Sequence, residues 1–151
     1  MNSQVGPQGR AMIEHFEGCR LTSYRDGGGI WTCGYGTTGP DIHAGLCWTP
    51  EQADARFAAD LERYAGYVTA MLHGAPTTAA QFGALTSFCY NAGPGSLANS
   101  PILVAHLADD YAKAHQQWLS CHIRDHNGNI EPGLVTRRAA EAKFYSTGAW
   151  Q

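Results

Sequence analysis

The chain has 151 residues, of which 44% are hydrophobic and 15% are charged, and its formal net charge is −3. This length suits one domain with a sizeable core, and this composition excludes a disordered chain. The slightly acidic balance is not that of a nucleic-acid-binding protein, so we expect no nucleic-acid partner.

The N-terminal segment and the cysteines indicate where the protein is made. Residues 1–18 contain no apolar run of signal-peptide or membrane length, so we expect a soluble protein made in the cytoplasm without a signal peptide. The cysteines are Cys19, Cys33, Cys47, Cys89 and Cys121. Their odd number and the lack of C-x-x-C spacing favour free thiols. A disulfide within the first three remains open.

The first predicted element is a helix over Pro7–Glu17. Met12, Ile13 and Phe16 recur at helical spacing, and proline suits the first turn of a helix. Gly18 is expected to end this helix, because glycine adopts the left-handed conformation that other residues resist.

A small β-rich lobe is predicted over residues 19–47, where glycines and aromatic residues are frequent. We expect one strand at Thr22–Arg25 and a return strand at Ile30–Tyr35. Asp26–Gly29 would form the turn between them, because its glycines can adopt positive φ.

A long helix is predicted to follow the β-rich lobe. Thr49 and Gln52 have capping-box spacing with Pro50 between them, which is typical of a helix start. The apolar residues that then recur every three or four positions are Ala53, Phe57, Leu61, Tyr64 and Val68. They predict a helix of about five or six turns that bridges two lobes and ends at "HGAPTT".

The rest of the chain is predicted to be mainly helical. We expect helices over Ala79–Asn91, from Ser100-Pro101, after Asp109 or Asp110, and over Leu134–Ser146, with a break at Gly93-Pro94-Gly95 and a loop over Asp125–Gly133. The predicted fold class is therefore α+β, with a small three-stranded antiparallel sheet packed against a mainly helical lobe. A cleft is expected where the two lobes meet.

Glu17, Asp26 and Thr32 are the candidate catalytic residues. Two carboxylates and a hydroxyl around one groove suit cleavage of a glycosidic bond. One carboxyl group protonates the leaving oxygen, and the other orients a water on the opposite face of the sugar with the help of the hydroxyl. Considered alone, Glu17 could equally be a solvated helix-end carboxylate, and Asp26 a turn residue before three glycines.

A resemblance to the phage-type lysozymes, the endolysins of glycoside hydrolase family 24, is carried by "FEGCRLTSYRDGGGIWTCGYG" and by three later segments. These segments, in the family's order, are "QFGALTSFCYNAGPGSL", "SPILVAHL" and "PGLVTRRAAEAKFYSTG". The resemblance covers about residues 10–149 and implies a single lysozyme-like catalytic domain over 1–151. Its β-lobe would span about 19–47, and its helical lobe about 50–149 together with the N-terminal helix 7–17.

The resemblance also implies roles for individual residues. Glu17 matches the general acid, and Asp26 with Thr32 matches the pair that holds the attacking water. The implied substrate-binding residues are Asn91, Tyr90, Thr38 and Arg137, and we expect Arg137 to form an ion pair with Glu17. Many relatives have histidine directly after "GYG", where this chain has Thr37. If that histidine supports the β-lobe in relatives, this chain must hold its β-lobe in another way.

The implied activity is that of a muramidase, which hydrolyses the β-1,4 bond between N-acetylmuramic acid and N-acetylglucosamine in peptidoglycan. We expect inversion at the anomeric carbon, no cofactor and a monomer. The implied biological role is lysis of the host cell, with a holin that releases the enzyme through the membrane to the cell wall.

Three other functions were considered. A cysteine peptidase or amidase would use Cys33 or Cys89 as its nucleophile. A wall-binding module would keep the fold without the chemistry, and a lytic transglycosylase would need only the one acid. A zinc site at Cys121, His122 and His126 is disfavoured, because Asp125 between the histidines begins a loop. We expect no metal.

Overall fold

The computed structural model describes residues 4–151, which form a mainly helical protein with one small β-hairpin. The elements in chain order are α1 (Pro7–Glu17), β1 (Arg20–Arg25), β2 (Trp31–Gly34), α2 (Pro50–Leu72), α3 (Ala79–Ala92), α4 (Pro94–Ala98), α5 (Pro101–Leu107), α6 (Tyr111–Trp118) and α7 (Pro132–Thr147). The predicted α+β class is confirmed. Within the described residues, no helix combines the length and the apolar character that crossing a membrane requires.

The hairpin has the predicted strand–turn–strand order. β1 and β2 pair antiparallel, with Arg25 opposite Trp31 beside the turn, and a register shift interrupts the ladder nearer the start of β1. β1 begins two residues before the predicted Thr22, and β2 begins at Trp31, one residue after the predicted Ile30.

The prediction of three strands is wrong. The sheet of the described residues has two strands, and in place of a third there is a single antiparallel bridge between Thr22 and Cys47. The physical reason lies in the segment after β2, where Gly36, Gly39 and Gly45 have φ of 78°, 142° and 78°. Positive φ at three close positions turns the chain repeatedly, so no extended strand can form there.

Helix α2 joins the β-hairpin to the other helices. The Thr49 side chain accepts the Gln52 N–H while the Gln52 side chain accepts the Thr49 N–H, which confirms the predicted capping box. The helix runs for 23 residues and ends where His73 is left-handed, with φ of 49°. Since α2 packs against both β2 and α3, it fixes the position of the hairpin relative to the core.

Helix α3 is the centre of the core, because every residue over 81–90 is buried. Gly83 of α3 lies close to both α1 and α7. A Cβ atom at Gly83 would lie 2.8 Å from Cε1 of Phe144 in α7 and 3.4 Å from Cα of Gly9 in α1. This contact lets three helices meet closely and so sets the relative positions of α1, α3 and α7.

The C-terminal half differs from the prediction at helix starts. Pro94, expected in a break, instead begins the short helix α4, because proline is tolerated in the first turn. Helix α7 begins at Pro132 rather than at the predicted Leu134, since the Glu131 side chain caps its first turn. The helix ends before Gly148, as predicted.

Candidate active site

Glu17 is the last residue of α1 and points into the junction between the hairpin and the helices. Gly18 follows with φ of 62° and donates its N–H to the Glu14 carbonyl at 2.9 Å, which ends the helix directly after the acid. The Glu17 side chain is only 15% exposed. The acid is therefore nearly enclosed while one edge still reaches solvent.

Arg137 of α7 forms the predicted ion pair with Glu17, with Nη1 2.6 Å from Oε1. The same guanidinium donates from Nε to Glu141 Oε2 at 3.3 Å and from Nη2 to the Ser87 carbonyl oxygen at 3.3 Å. Because these partners lie on α7 and α3, the cation that holds the acid is itself fixed by the helical core.

Gly36 brings the backbone of the β-lobe against the other oxygen of Glu17. Its φ is 78°, and a Cβ atom there would lie 2.6 Å from Glu17 Oε2. Only glycine fits this position, for both backbone and steric reasons. No role for Gly36 was predicted from the sequence. It lies in the tight turn that the Cys33–Thr37 bridge closes, and the two glycines that flank Tyr35 were the signal that could have revealed one.

Asp26 sits in the hairpin turn, where its Oδ1 accepts the backbone N–H groups of Gly28 and Ile30, both at 2.9 Å. The side chain is exposed. Among residues 4–151, hydrogen bonds to the Asp26 carboxylate reach Oδ1 alone, so Oδ2 is available to solvent. The turn interpretation and a place in the cleft are thus compatible for this residue.

Thr32 lies beside this turn and is only 3% exposed. Its hydroxyl donates to the Ile30 carbonyl oxygen at 2.9 Å, while Asp26 accepts from the N–H of the same residue. The two side chains therefore hold Ile30 from both its donor and its acceptor. Thr32 does not line the cleft described next, unlike the two acids.

A cleft at the junction of the hairpin and the helices contains both acids. It has a volume of about 300 Å³ and is lined by Glu17, Asp26, Gly36, Thr38, Tyr64, Tyr90, Asn91, Ala92 and Gly93. A second cavity of about 410 Å³ shares Glu17 and Asn91 and continues towards Glu131 and Leu134. A larger cavity of about 650 Å³, between Val5 and α2, contains neither acid and is separate from this site.

The predicted substrate-binding residues Thr38, Tyr90 and Asn91 line the cleft. Thr38 is exposed at its edge. Tyr90 is almost buried, donates its hydroxyl to the Tyr35 carbonyl oxygen at 2.6 Å, and has a pKa raised by burial. Tyr90 therefore ties α3 to the β-lobe. The remaining one, Arg137, reaches the cleft through Glu17 and lines the second cavity.

Comparison with known families identifies the family to which this chain belongs. The family model described as phage lysozyme matches residues 14–141, a range that includes Glu17, Asp26 and Arg137. The chain belongs to the phage lysozyme family. The lysozyme-like fold class predicted from the sequence is confirmed by this match and by the structural comparisons.

Related sequences of this phage lysozyme include two endolysins. The chain is 32% identical over 146 residues to an endolysin of Bacillus phage B103, where the match covers 95% of this chain and 54% of that protein. It is 31% identical over 148 residues to an endolysin of Acyrthosiphon pisum secondary endosymbiont phage 1, covering 95% and 98%. The chain thus spans about half of the first relative and nearly all of the second.

Two solved structures have the same fold. The endolysin from Escherichia coli O157:H7 phage FAHEc1 superimposes with a TM-score of 0.89 at 31% identity, covering 98% of this chain and 96% of that chain. The muramidase domain of SpmX from Asticaccaulis excentricus gives a TM-score of 0.86 at 31% identity, covering 95% and 98%.

The structure answers how this phage lysozyme holds its β-lobe with Thr37 after "GYG". The Thr37 hydroxyl donates to Asp60 Oδ2 of α2 at 2.6 Å, and both residues are buried. Asp60 Oδ1 also lies near Arg56, which pairs with Asp41 of the β-lobe at 2.5 Å. The lobe is thus tied to α2 at two points, Thr37 with Asp60 and Asp41 with Arg56, and Asp60 was not among the residues predicted from the sequence.

The two thiols of the cysteine-peptidase alternative are unsuited to nucleophilic attack. Cys33 is buried with its Sγ directed at the Leu21 carbonyl oxygen at 3.5 Å, and burial raises its pKa. Cys89 is fully buried, which raises its thiol pKa to about 12. Catalytic cysteines require accessible thiols of lowered pKa. All five cysteines are free.

The histidine-rich turn after α6 packs against the helical core. His122 has φ of 50°, and its ring meets the Phe88 ring edge-on with centroids 5.5 Å apart. Residues 4–151 contain no group of three or more histidine, cysteine or acidic side chains able to hold a metal ion.

Proposed function

We propose that this chain is a muramidase that hydrolyses the β-1,4 bond between N-acetylmuramic acid and N-acetylglucosamine in peptidoglycan. The observation that carries this proposal is that Glu17 and Asp26 line one cleft, each held by a different part of the molecule. Relatives named endolysin and muramidase support the same substrate. The whole chain would act as one catalytic domain on the glycan strands.

Glu17 is the proposed general acid. Its Oε1 accepts from Arg137, so the proton to be donated sits on Oε2, the oxygen beside Gly36. In the reaction this proton moves to the glycosidic oxygen while the bond from that oxygen to the anomeric carbon breaks. Arg137 then stabilises the carboxylate that remains.

Asp26 is the proposed water-positioning base. Its Oδ2 would accept a proton from a water that attacks the anomeric carbon from the face opposite to Glu17. Thr32 supports this role by fixing Ile30, whose N–H holds Asp26 Oδ1, so the carboxylate keeps one orientation. The expected inversion of configuration requires the two carboxyl groups to be roughly 6.5–9.5 Å apart, which leaves room for this water.

Product analysis tests the proposed reaction. Purified peptidoglycan digested with the protein should yield fragments with reducing N-acetylmuramic acid ends, detected by mass spectrometry. Anhydro-muramic ends would indicate a transglycosylase, newly released peptide amino groups a peptidase, and no soluble product a binding module. A variant with all five cysteines replaced should remain active, because no thiol takes part.

The proposed cellular role is lysis of the phage host, with a holin providing access to the wall and the enzyme acting as a monomer without cofactor. Cells that express the chain alone should remain intact until chloroform permeabilises the membrane, and then lyse within minutes. Lysis that begins without permeabilisation or a holin would contradict the holin requirement.

A further inference from the structure

Arg138, next to the acid-binding Arg137, is entirely buried in the helical lobe. Its partner Glu141 is also 0% exposed, and Arg138 Nε lies 2.8 Å from Glu141 Oε1. The same glutamate accepts hydrogen bonds from the Ser87 hydroxyl and, at 3.1 Å, from Trp118 Nε1. Glu141 is therefore the anion around which both arginines of α7 are arranged.

This buried arginine is costly for the fold. Arg138 Nε lies 2.8 Å from Glu141 Oε1 and Nη2 donates to Glu141 Oε2 at 3.4 Å, whereas Nη1 has no hydrogen-bond partner within the described residues. The guanidinium lies over the Phe88 ring, 4.7 Å from its centroid, which offsets only part of the desolvation. A buried ion pair with unsatisfied N–H groups is weak evidence for a stabilising role.

A further contact of Arg138 reaches the cleft. Its Nη2 donates to Asn91 Oδ1 at 2.7 Å. Arginine can only donate hydrogen bonds. The contact with Arg138 therefore requires the oxygen of the Asn91 amide to face the core. The Nδ2 group must then face away, and it has no protein acceptor among residues 4–151. Asn91 is exposed and lines both cavities of the cleft, on either side of Glu17.

We propose that Arg138, held by Glu141, is a positioning residue that makes Asn91 present its NH₂ group to the substrate as a hydrogen-bond donor. The group it fits best is the acetamido carbonyl of an N-acetylated sugar, because this oxygen only accepts, whereas sugar hydroxyls also donate. The inference rests on the proposed function, since it requires glycan in the cleft. The two arginines thus have different roles, because Arg137 holds the acid and Arg138 sets the orientation of the amide.

The proposed donor, the NH₂ group of Asn91, is tested by binding to soluble, un-cross-linked peptidoglycan strands. Binding is measured by calorimetry in a Glu17→Gln background, which prevents turnover. Asn91→Asp keeps the shape and the bond to Arg138 but has no N–H, and it should bind at least about tenfold more weakly with unchanged thermal stability. Asn91→Ala should show a similar loss. Equal binding by either variant and the parent would overturn the inference, because the aspartate tests the donor and the alanine controls for the added charge.

The proposed acceptor, the acetamido carbonyl, is tested at neutral pH with two probes. These are N-acetylglucosamine oligomers and the same oligomers after deacetylation. Asn91→Ala should weaken binding of the acetylated probe about tenfold and leave binding of the deacetylated probe unchanged. An equal loss for both probes would overturn the assignment to the acetamido carbonyl. If the Glu17→Gln chain binds no glycan at all, the proposed function also fails, which separates the two conclusions.

The positioning role is tested by a double-mutant cycle. Replacing Arg138 alone, by Arg138→Met, leaves Glu141 paired with Arg137, whose Nε lies 3.3 Å from Glu141 Oε2, so no buried charge loses all of its partners. Strand binding should weaken when Asn91 is present and should not weaken further when Asn91 is alanine. Equal losses in the two backgrounds would mean a general structural effect and overturn the role of Arg138. If the Arg138→Met variant does not fold, Arg138→Lys, which retains the charge but shortens the reach, replaces it in the same cycle.

Discussion

Two turns in this member of the phage lysozyme family have the same local structure and different surroundings. Asp26 Oδ1 accepts N–H groups two and four residues ahead, at 2.9 Å each, and Asp125 Oδ1 does the same at 2.9 and 3.0 Å. The third residue after each aspartate is a glycine with positive φ, Gly29 at 78° and Gly128 at 83°. Each turn is closed by one antiparallel pair of residues.

The two turns differ in the residues that lie opposite them. Asp26 lines the cleft with Glu17, which is held by an arginine 120 positions away in the sequence, whereas Asp125 lines neither cavity of the cleft. A local hydrogen-bond pattern therefore builds a fixed carboxylate, but only tertiary packing places a second acid opposite it. Substitutions in each turn and in its surroundings test this difference separately.

The largest effect is expected from Glu17→Gln, which removes the acid that distinguishes the first turn. Activity on peptidoglycan should fall about 10³–10⁴-fold, because glutamine cannot donate a proton to the leaving oxygen. Thermal stability should hardly change, since the glutamine carbonyl can still accept from Arg137. Glu14→Gln, one turn earlier on the same helix, is the control and should retain activity. A Glu17→Gln enzyme with near-normal turnover would refute the assignment.

Asp26→Asn compared with Asp125→Asn tests whether the two turns differ only in function. Asparagine keeps the Oδ1 acceptor, so both variants should fold with unchanged melting temperature. Asp26→Asn should lose about 10²-fold in activity, because a neutral amide cannot accept the proton of the attacking water. Asp125→Asn should be fully active. Equal activities for the two variants would contradict the role of Asp26.

Gly36→Ala tests the close approach of the β-lobe to the acid. The added methyl group would lie 2.6 Å from Glu17 Oε2 and would also strain a residue with φ of 78°. We expect about 1–3 kcal/mol of destabilisation and at least tenfold lower activity. Gly128→Ala is the matched control, because its φ is 83° and nothing lies within 4 Å of the added atom. It should lose stability without losing activity, as chemical denaturation and turnover assays would show.

Thr37→Val tests the hydrogen bond that joins the residue after "GYG" to α2. Valine has the same shape but leaves the buried Asp60 carboxylate without its 2.6 Å donor. The free energy of unfolding should fall by about 1.5–3 kcal/mol, as for a hydrogen bond to a charged group. The neighbouring exposed Thr38→Val should leave stability unchanged. A stable Thr37→Val protein would show that Arg56 alone holds the lobe to α2.

The smallest effect is expected from alanine at either turn aspartate. Asp26→Ala and Asp125→Ala each remove the same pair of turn hydrogen bonds, so each should cost about 1 kcal/mol in urea unfolding. Because the local structures match, the two costs should agree within error. A much larger cost at one turn would mean that the turns are not equivalent in their local energetics.

Features set by neighbouring residues could be predicted from the sequence. The bounds of α1, the capping box at Thr49 and the turn at Asp26 all follow from residues within four positions of one another. The third strand was predicted wrongly because no local pattern specifies the structure of residues 36–47. Several glycines determine the course of the backbone there together. The helix start at Pro132 depended on a side-chain cap from Glu131.

The candidate site divides in the same way. Glu17, Asp26 and the Arg137 ion pair were found because the family resemblance supplied long-range information that the local pattern lacks. The contacts of Asp60 with Thr37 and of Arg138 with Asn91 join residues 23 and 47 positions apart. Such pairs leave no periodic or spacing signal in one sequence, so only the folded structure reveals them.

The most direct test of the account is the configuration of the first product. Proton NMR during hydrolysis of soluble peptidoglycan strands reports the anomer before mutarotation. If Asp26 directs a water to the face opposite Glu17, the newly formed reducing sugar should appear as the α-anomer. A β-anomer formed first would contradict the account, because retention requires Asp26 or another group to bond to the sugar before water does.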